Sequence, residues 1–162
     1  MLGKKSRWYA PLAASGVLLL AASPAVAAEP DIVIPASDSC KTFDLGLTAR
    51  GGQIREIEFA NGNLYKIGSG VILTWSNQSN GKTYTVNTSG SVSRYVKQPN
   101  GTYTLTLTGH NGFVFFAGDK TGPGAFVYTG RVVLTVDNPT NNTVLSVDSR
   151  AGKAVNVCSL LK

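Results

Sequence analysis

The chain has 162 residues and a formal net charge of +6. Lys4, Lys5 and Arg7 carry half of that charge, and the other basic residues are scattered along the chain. This distribution argues against a nucleic-acid-binding protein, which needs clustered Lys and Arg to neutralise phosphates.

Residues 1–27 have the organisation of a signal peptide. The three basic residues precede an apolar run over residues 10–22, and Ala25-Val26-Ala27 is a small-residue cleavage site. The apolar run is too short to cross a hydrocarbon layer of ~30 Å comfortably, so that no membrane span is expected after cleavage. We therefore expect a secreted, extracellular protein with a leader or edge segment at residues 28–39 and a single domain at residues 40–162.

Two cysteines remain after this cleavage, Cys40 and Cys158. An even number of cysteines in an exported protein favours a disulfide. The bond would close a loop of 118 residues, which is worth roughly 4 to 5 kcal/mol in the chain-entropy model. Two free thiols or a metal pair are the alternatives, but zinc needs further ligands and the chain has one histidine.

The residues after the leader alternate between apolar and polar side chains in short runs, which is the pattern of half-buried strands. An edge strand is expected at residues 31–34, because Pro30 and Pro35 disfavour a central position. The candidate strand segments are residues 31–34, 41–50, 53–59, 64–67, 70–77, 82–88, 91–97, 103–107, 113–116, 131–137, 143–147 and 153–157. About ten short strands are expected among these twelve segments. No substantial helix is predicted outside the signal segment.

Turn signals recur every ten residues or so, as in Asn80-Gly81 and Asn100-Gly101. This spacing predicts an all-β fold, an antiparallel β-sandwich of immunoglobulin-like architecture, with a small β-barrel as the alternative. A true immunoglobulin domain is not expected, because the cysteines flank the whole domain instead of pinning central strands.

Residues 101–137 are the most apolar and strand-like part of the chain. Tyr103, Leu105 and Leu107 alternate with threonines, whereas residues 113–116 place large apolar side chains on both faces of one strand. Something must cover both faces. The candidates are residues 30–34, a ligand inside a barrel, or a partner chain, so that a homodimer is an open alternative.

Residues that could carry catalysis or bind a metal are few. A Ser-His-Asp site would have to use His110 with Asp119, but a place at a hairpin tip in residues 109–112 explains this histidine better. Glu56 and Glu58 lie ~6.6 Å apart along one strand face, a separation that paired carboxylates use in glycoside hydrolysis. A solvent-exposed strand face is the simpler explanation for both residues. Residues 137–142 are rich in Asp and Asn, so calcium binding is an open alternative there, but they fail the EF-hand spacing and suit a turn better. We expect no enzyme, no cofactor and no metal site.

Aromatic side chains are the remaining candidates for ligand contact, because they stack on sugars or line apolar pockets. Each is also an ordinary sheet residue, and Trp75 in particular fits a core position. The candidate contact residues are Trp75, Tyr84, Tyr103, His110, Phe113 and Tyr128.

Four short motifs recur along the chain: Cys40, Asn100-Gly101, the Thr-Gly-His-Asn-Gly turn before Phe113, and the Val-Cys-Ser-Leu-Leu of residues 157–161. Together they resemble the motifs of small exported actinobacterial β-rich proteins with two terminal cysteines. The resemblance implies export and a disulfide-stapled β fold. That group has no established function, so no catalytic residue is implied.

Three functions follow as hypotheses. The first is a secreted non-catalytic domain that binds or structures a cell-envelope or glycan component. The second is a small β-barrel that carries a lipophilic ligand near residues 113–116. The third is a secreted inhibitor or effector that presents the hairpin of residues 109–112.

Overall fold

The computed structural model describes residues 29–162, so the predicted signal peptide and its cleavage site lie outside the described residues. The prediction of an all-β sandwich is confirmed: two antiparallel sheets pack together, and the described strands do not close into a barrel. None of the described helices is long and apolar enough to span a membrane.

The four-stranded sheet has the order β1-β2-β5-β6 and the six-stranded sheet has the order β10-β9-β8-β7-β4-β3. The strands are β1 (Ile32–Ile34), β2 (Leu45–Arg50), β3 (Gln53–Glu58), β4 (Leu64–Ser69), β5 (Ile72–Asn77), β6 (Thr83–Asn87), β7 (Val92–Lys97), β8 (Tyr103–Phe115), β9 (Gly124–Val136) and β10 (Val144–Asn156). A 3-10 turn at Ala36–Asp38 follows β1, and a short helix α1 at Val157–Leu160 follows β10. The expected edge strand is confirmed, because β1 pairs only with β2.

The last three strands are longer than expected and correct the predicted pattern of short strands. β8, β9 and β10 have 13 residues each. The predicted hairpin at residues 109–112 is wrong, because His110 pairs with Thr129 and Asn111 with Tyr128 in the middle of the sheet. The predicted strands 143–147 and 153–157 are likewise parts of the single strand β10.

A row of glycines explains this difference. Gly109 pairs with Gly130, and Gly130 pairs with Gly152, so that three glycines lie side by side across β8, β9 and β10. Their φ angles are +83°, +125° and +115°, a region that side-chain-bearing residues rarely adopt. Glycines at positive φ often make a turn, but in register across three strands they bend the sheet.

This bend, hereafter the glycine kink, folds the sheet back on itself. Phe115 pairs with Gly124 at one end of the β8–β9 pair, and Tyr103 pairs with Val136 at the other. Nevertheless the loop after Phe115 reaches the far end, where Val144 N donates to Asp119 Oδ1 at 2.6 Å and Lys120 N donates to Val144 O at 2.9 Å. Extended 13-residue strands would hold these ends about 40 Å apart, so the two halves must face each other.

The folding back creates two cores. We call residues 110–115, 124–129 and 153–156 the inner half, and the rest of the six-stranded sheet the outer half. The first core lies between the four-stranded sheet and the inner half, and it contains Phe43, Leu45, Trp75, Ala125, Val127 and Val157. The second core lies between the inner and outer halves, and it contains Tyr95, Leu105, Leu107, Phe115, Tyr128, Val132 and Leu134.

The inner half is therefore covered on both faces, as the run of apolar side chains at residues 113–116 requires. Phe113 and Phe115 pack into the second core, Val114 packs against the first, and Phe116 is 45% exposed. The cover comes from the four-stranded sheet and from the sheet's own outer half. Of the three predicted covering elements, residues 30–34 contribute β1 to the four-stranded sheet.

The predicted disulfide is present. Cys40 and Cys158 are bonded across 118 residues, and both lie in the first core. The bond joins the segment before β2 to α1 at the end of the chain. Asn77 extends this attachment, because its side-chain Nδ2 donates to Leu161 O at 2.9 Å. Both ends of the domain are thus fixed to the four-stranded sheet.

Candidate functional site

The aromatic residues predicted to contact a ligand do not form one open surface. Trp75 is 1% exposed and lies in the first core, where Tyr84 packs against it half-buried. Tyr128 is 2% exposed and lies in the second core, with Tyr103 and Phe113 half-buried beside it. The structure therefore divides these residues between two cores instead of aligning them as a platform.

His110 is exposed in the middle of β8, and Asp119 does not serve it as an orienting carboxylate. Asp119 is buried, and its two oxygens accept backbone N–H groups from Phe116 at 2.7 Å and Val144 at 2.6 Å. This carboxylate holds the loop after β8 against the start of β10. Its role in the described structure is to fix the folded-back sheet.

The other acidic candidates are solvent-exposed, pair with a lysine or stabilise a turn. Glu56 and Glu58 are exposed on the edge strand β3, and Glu56 pairs with Lys66 at 3.0 Å. In the 137–142 turn, Asp137 Oδ1 accepts the backbone N–H of Thr143 at 2.8 Å. Asn138 Oδ1 accepts two further N–H groups, as in an Asx turn. Within residues 29–162, no cluster of three His, Cys, Asp or Glu side chains is placed to hold a metal ion.

A concave surface that sequence reasoning did not single out lies on the outer face of the four-stranded sheet. It is a groove of about 500 Å³. Its lining is dominated by hydroxyl and amide side chains, and its charged members are one acid and one base: Glu29, Pro30, Thr48, Arg50, Thr74, Ser76, Asn77, Gln78, Gly81 and Thr83. We call this the hydroxyl groove.

Strand alternation places these hydroxyl groups on one face. In β5, Leu73 and Trp75 point into the first core, so that Thr74 and Ser76 point outward. The strand register then joins residues that are distant in sequence. Thr74 lies opposite Thr48 of β2, and Ser76 lies opposite Thr83 of β6.

A glycine in β2 makes room for two side chains that line the groove. Gly46 lies opposite Ser76, and a Cβ atom on Gly46 would lie 2.3 Å from both Ser76 Oγ and Gln78 Nε2. Those two atoms are themselves hydrogen-bonded at 2.6 Å. The missing side chain therefore lets an amide and a hydroxyl lie directly over the strand backbone, where both remain within reach of a ligand.

The N-terminal segment forms one wall of the groove. Asp31 fixes it, because its oxygens accept two contacts from Arg50 Nη1 at 2.8 Å and the backbone N–H of Ala49 at 2.9 Å. The hydrogen bond from Arg50, and then that from Ala49, hold the pKa of Asp31 below its usual value of 3.8. The carboxylate is thus charged at neutral pH, and it keeps Glu29 and Pro30 at the groove.

Sequence reasoning missed this groove as a site. Threonine and serine at outward strand positions are visible in the sequence, but such residues are also common on solvated strands. The order β2-β5-β6 and the gap at Gly46 decide which hydroxyl groups converge, and neither is readable from local alternation.

A scan against protein-family models gives no match to this chain. Searches of curated proteins and of solved structures likewise give none. The function must therefore be inferred from the geometry of the hydroxyl groove and of the fold that carries it.

Proposed function

We propose that this chain is an exported, non-catalytic binding domain whose hydroxyl groove holds an oligosaccharide of the cell exterior. The observation that carries the proposal is the convergence of hydroxyl and amide side chains from three strands on one groove of about 500 Å³. That volume is in the range of small-molecule sites.

The chemistry of the lining suits a saccharide. Threonine and serine hydroxyl groups both donate and accept hydrogen bonds, and the amide of Gln78 offers one acceptor and two donors. A sugar ring presents alternating hydroxyl groups with the same dual capacity. Arg50 and Glu29 at the groove add one charged donor and one charged acceptor, which strengthen individual hydrogen bonds.

The rigidity of the four-stranded sheet supports a binding role. The groove floor is strand backbone, and the disulfide and the Asn77 contact anchor the same sheet to the chain end. A preformed site loses little conformational entropy on binding. The disulfide also suits an oxidising, extracellular compartment.

The other two hypotheses have less structural support. A lipophilic carrier would need an open barrel interior, whereas here the two sheets remain open and residues 113–115 pack into cores. An inhibitor that presents residues 109–112 would need a protruding loop, whereas these residues lie within β8.

A matched pair of threonine variants tests the proposal. Thr83 in the groove and Thr106 on the outer half both lie on outward strand positions, and neither side chain makes a hydrogen bond within residues 29–162. Binding of the oxidised protein to a glycan array and to purified cell-wall polysaccharide is measured for the wild type, Thr83→Leu and Thr106→Leu.

We expect Thr83→Leu to weaken retention about tenfold, because it removes one hydrogen bond and replaces a hydroxyl group of the groove with a larger apolar side chain. Thr106→Leu should bind as the wild type does. Failure of the wild type to bind any glycan or cell-wall fraction would overturn the proposal, as would equal losses in the two variants.

A further inference from the structure

The outer half presents one sheet face to the solvent, on the side away from the second core. Leu64, Tyr95 and Leu105 pack into that core, so strand alternation turns their chain neighbours outward. Tyr65 and Arg94 are two such neighbours, and they lie opposite each other on β4 and β7. We call the solvent-facing side of the outer half the outward face.

One corner of the outward face is apolar. Ile57 and Phe59, at the end of β3, are 41% and 46% exposed. Ile57 lies opposite Tyr65, and the ring centres of Phe59 and Tyr65 are 5.3 Å apart. Ile67, two residues along β4 from Tyr65, continues the same surface and is half-buried. We call these four residues the apolar corner, and neither core includes any of them.

Strand register brings three arginines to the same face, although they are distant in sequence. Arg55 and Arg131 belong to one row across the sheet that passes through Val92, and Arg94 lies two residues along β7 from Val92. The spacings of strands and residues put the Cα atom of Arg94 about 12 Å from those of the other two arginines. All three side chains are exposed, and the Arg94 guanidinium lies 5.6 Å from the centre of the Tyr65 ring. The arginines therefore border the apolar corner and extend across the face.

The positive charge of these arginines is not balanced on the outward face. The two ion pairs formed within residues 29–162 involve none of them. Glu56 and Glu58 alternate with Arg55 along β3 and so point to the opposite face. One carboxylate in the described part of the chain reaches the outward face. It is Asp148 on the far edge strand β10, which accepts two neighbouring hydroxyl groups.

We propose that the outward face docks on a lipid surface that carries anionic headgroups. Guanidinium groups pair with phosphate, and exposed apolar side chains beside them enter the boundary between headgroups and acyl chains. A lipid surface thus accounts for the arginines and for the apolar corner together.

Other occupants match only part of this surface. A second copy of the chain suits it poorly, because a two-fold contact places the same arginines on both sides of the interface. A soluble polyanion would engage the arginines but would leave the apolar corner in water.

Co-sedimentation with vesicles tests the proposal. Vesicles of phosphatidylglycerol and phosphatidylcholine in equal amounts are compared with vesicles of phosphatidylcholine alone. The exported, oxidised protein is used, because residues 1–27 are themselves basic and apolar and would bind such vesicles. Added salt should weaken binding to the anionic vesicles, since it screens the attraction between arginines and headgroups.

Matched variants locate the surface. Ile57→Thr and Ile72→Thr change two strand isoleucines that are both 41% exposed, but Ile72 lies in the four-stranded sheet. Arg94→Gln removes one cation of the outward face, and Lys82→Gln removes one from the turn between β5 and β6 of the other sheet. Thermal unfolding of each variant confirms that it is folded.

We expect Arg94→Gln to bind the anionic vesicles about fivefold more weakly, as for one basic residue lost at a charged membrane surface. Ile57→Thr should weaken binding about threefold, because less apolar area is buried. Lys82→Gln and Ile72→Thr should bind as the wild type does.

Three results would refute the proposal: no binding to the anionic vesicles, equal binding to both kinds of vesicle, or losses in the controls that equal those in Arg94→Gln and Ile57→Thr. Full displacement by a soluble glycerol-phosphate polymer at equal phosphate concentration would reject the lipid and assign the face to such a polyanion. Thr83→Leu should bind vesicles normally, and Arg94→Gln should keep the oligosaccharide binding, so the two proposals fail independently.

Discussion

Substitution of Gly130 by alanine tests whether the glycine kink is an obligatory part of the fold. Gly130 is the middle member of the row, paired with Gly109 on one side and Gly152 on the other. A Cβ atom at this position would lie 2.3 Å from Ala151 O and 3.0 Å from Gly152 Cα. Both contacts are with backbone of the paired strand, which has no rotamer to change.

Two effects set the size of the loss. A φ of +125° at Gly130 is strained for alanine by about 1–3 kcal/mol. Displacing the β10 backbone adds a further cost of about 1–3 kcal/mol, as for overpacking. Alanine also lowers the conformational entropy of the unfolded chain, which stabilises the folded state by about 0.4–1 kcal/mol. We therefore expect a net loss of about 1–6 kcal/mol, a large part of the stability of an ordinary domain.

Two control variants separate these effects. Gly101 has a φ of +87°, and a Cβ atom added to it would meet open space within 4 Å, so Gly101→Ala isolates the backbone strain. Gly118 is equally open and has no positive φ, so Gly118→Ala should be neutral or slightly stabilising. Urea denaturation of the oxidised proteins gives the free energies of unfolding, provided that the m-values agree.

The expected order of stability is Gly118→Ala, then Gly101→Ala, then Gly130→Ala. If Gly130→Ala were as stable as Gly101→Ala within about 0.5 kcal/mol, the kink would tolerate a side chain, contrary to the backbone contacts described above.

Two further predictions concern the folded-back sheet. Asp119→Ala should destabilise the domain by about 2–4 kcal/mol, because it leaves the N–H groups of Phe116 and Val144 without their acceptor. Amide hydrogen exchange at Val144 should become faster in this variant. An unchanged exchange rate would contradict the proposed role of Asp119. Tyr95 and Tyr128 should ionise above the usual pKa of 10.0, because burial disfavours the phenolate. Their folded pKa exceeds the unfolded one, so the associated stability is complete below pH 10.0 and decreases as pH rises through the folded pKa. Ultraviolet titration that shows both tyrosines ionising normally in the folded protein would refute this prediction.

Much of the four-stranded sheet is predictable from local patterns. In residues 70–77 the apolar side chains Leu73 and Trp75 alternate with polar ones, and Asn80-Gly81 supplies the turn into β6. Such alternation depends only on the two-residue period of a strand, so the same pattern is expected in any fold where the strand buries one face. The disulfide was also predictable without the fold, because the chain has only two cysteines.

The kink was not predictable from the residues around His110. Gly109 and Asn111-Gly112 form a strong turn signal, since a positive φ at glycine serves a hairpin as well as a bend. Their meaning depends on Gly130 and Gly152, which become neighbours only when β8, β9 and β10 pair in this register. Glycines in one strand would be a local weakness, whereas three in register let the whole sheet bend.

The sequence by itself therefore determined the all-β class, the edge strand, the disulfide and the need to cover residues 113–116 on both faces, because these follow from periodicity and composition. Only the tertiary structure decided what covers them, and it also placed the glycine kink and the hydroxyl groove. Both depend on the pairing of strands that are separated in sequence. Such pairing is set by the packing of two cores together, which no local run of residues encodes.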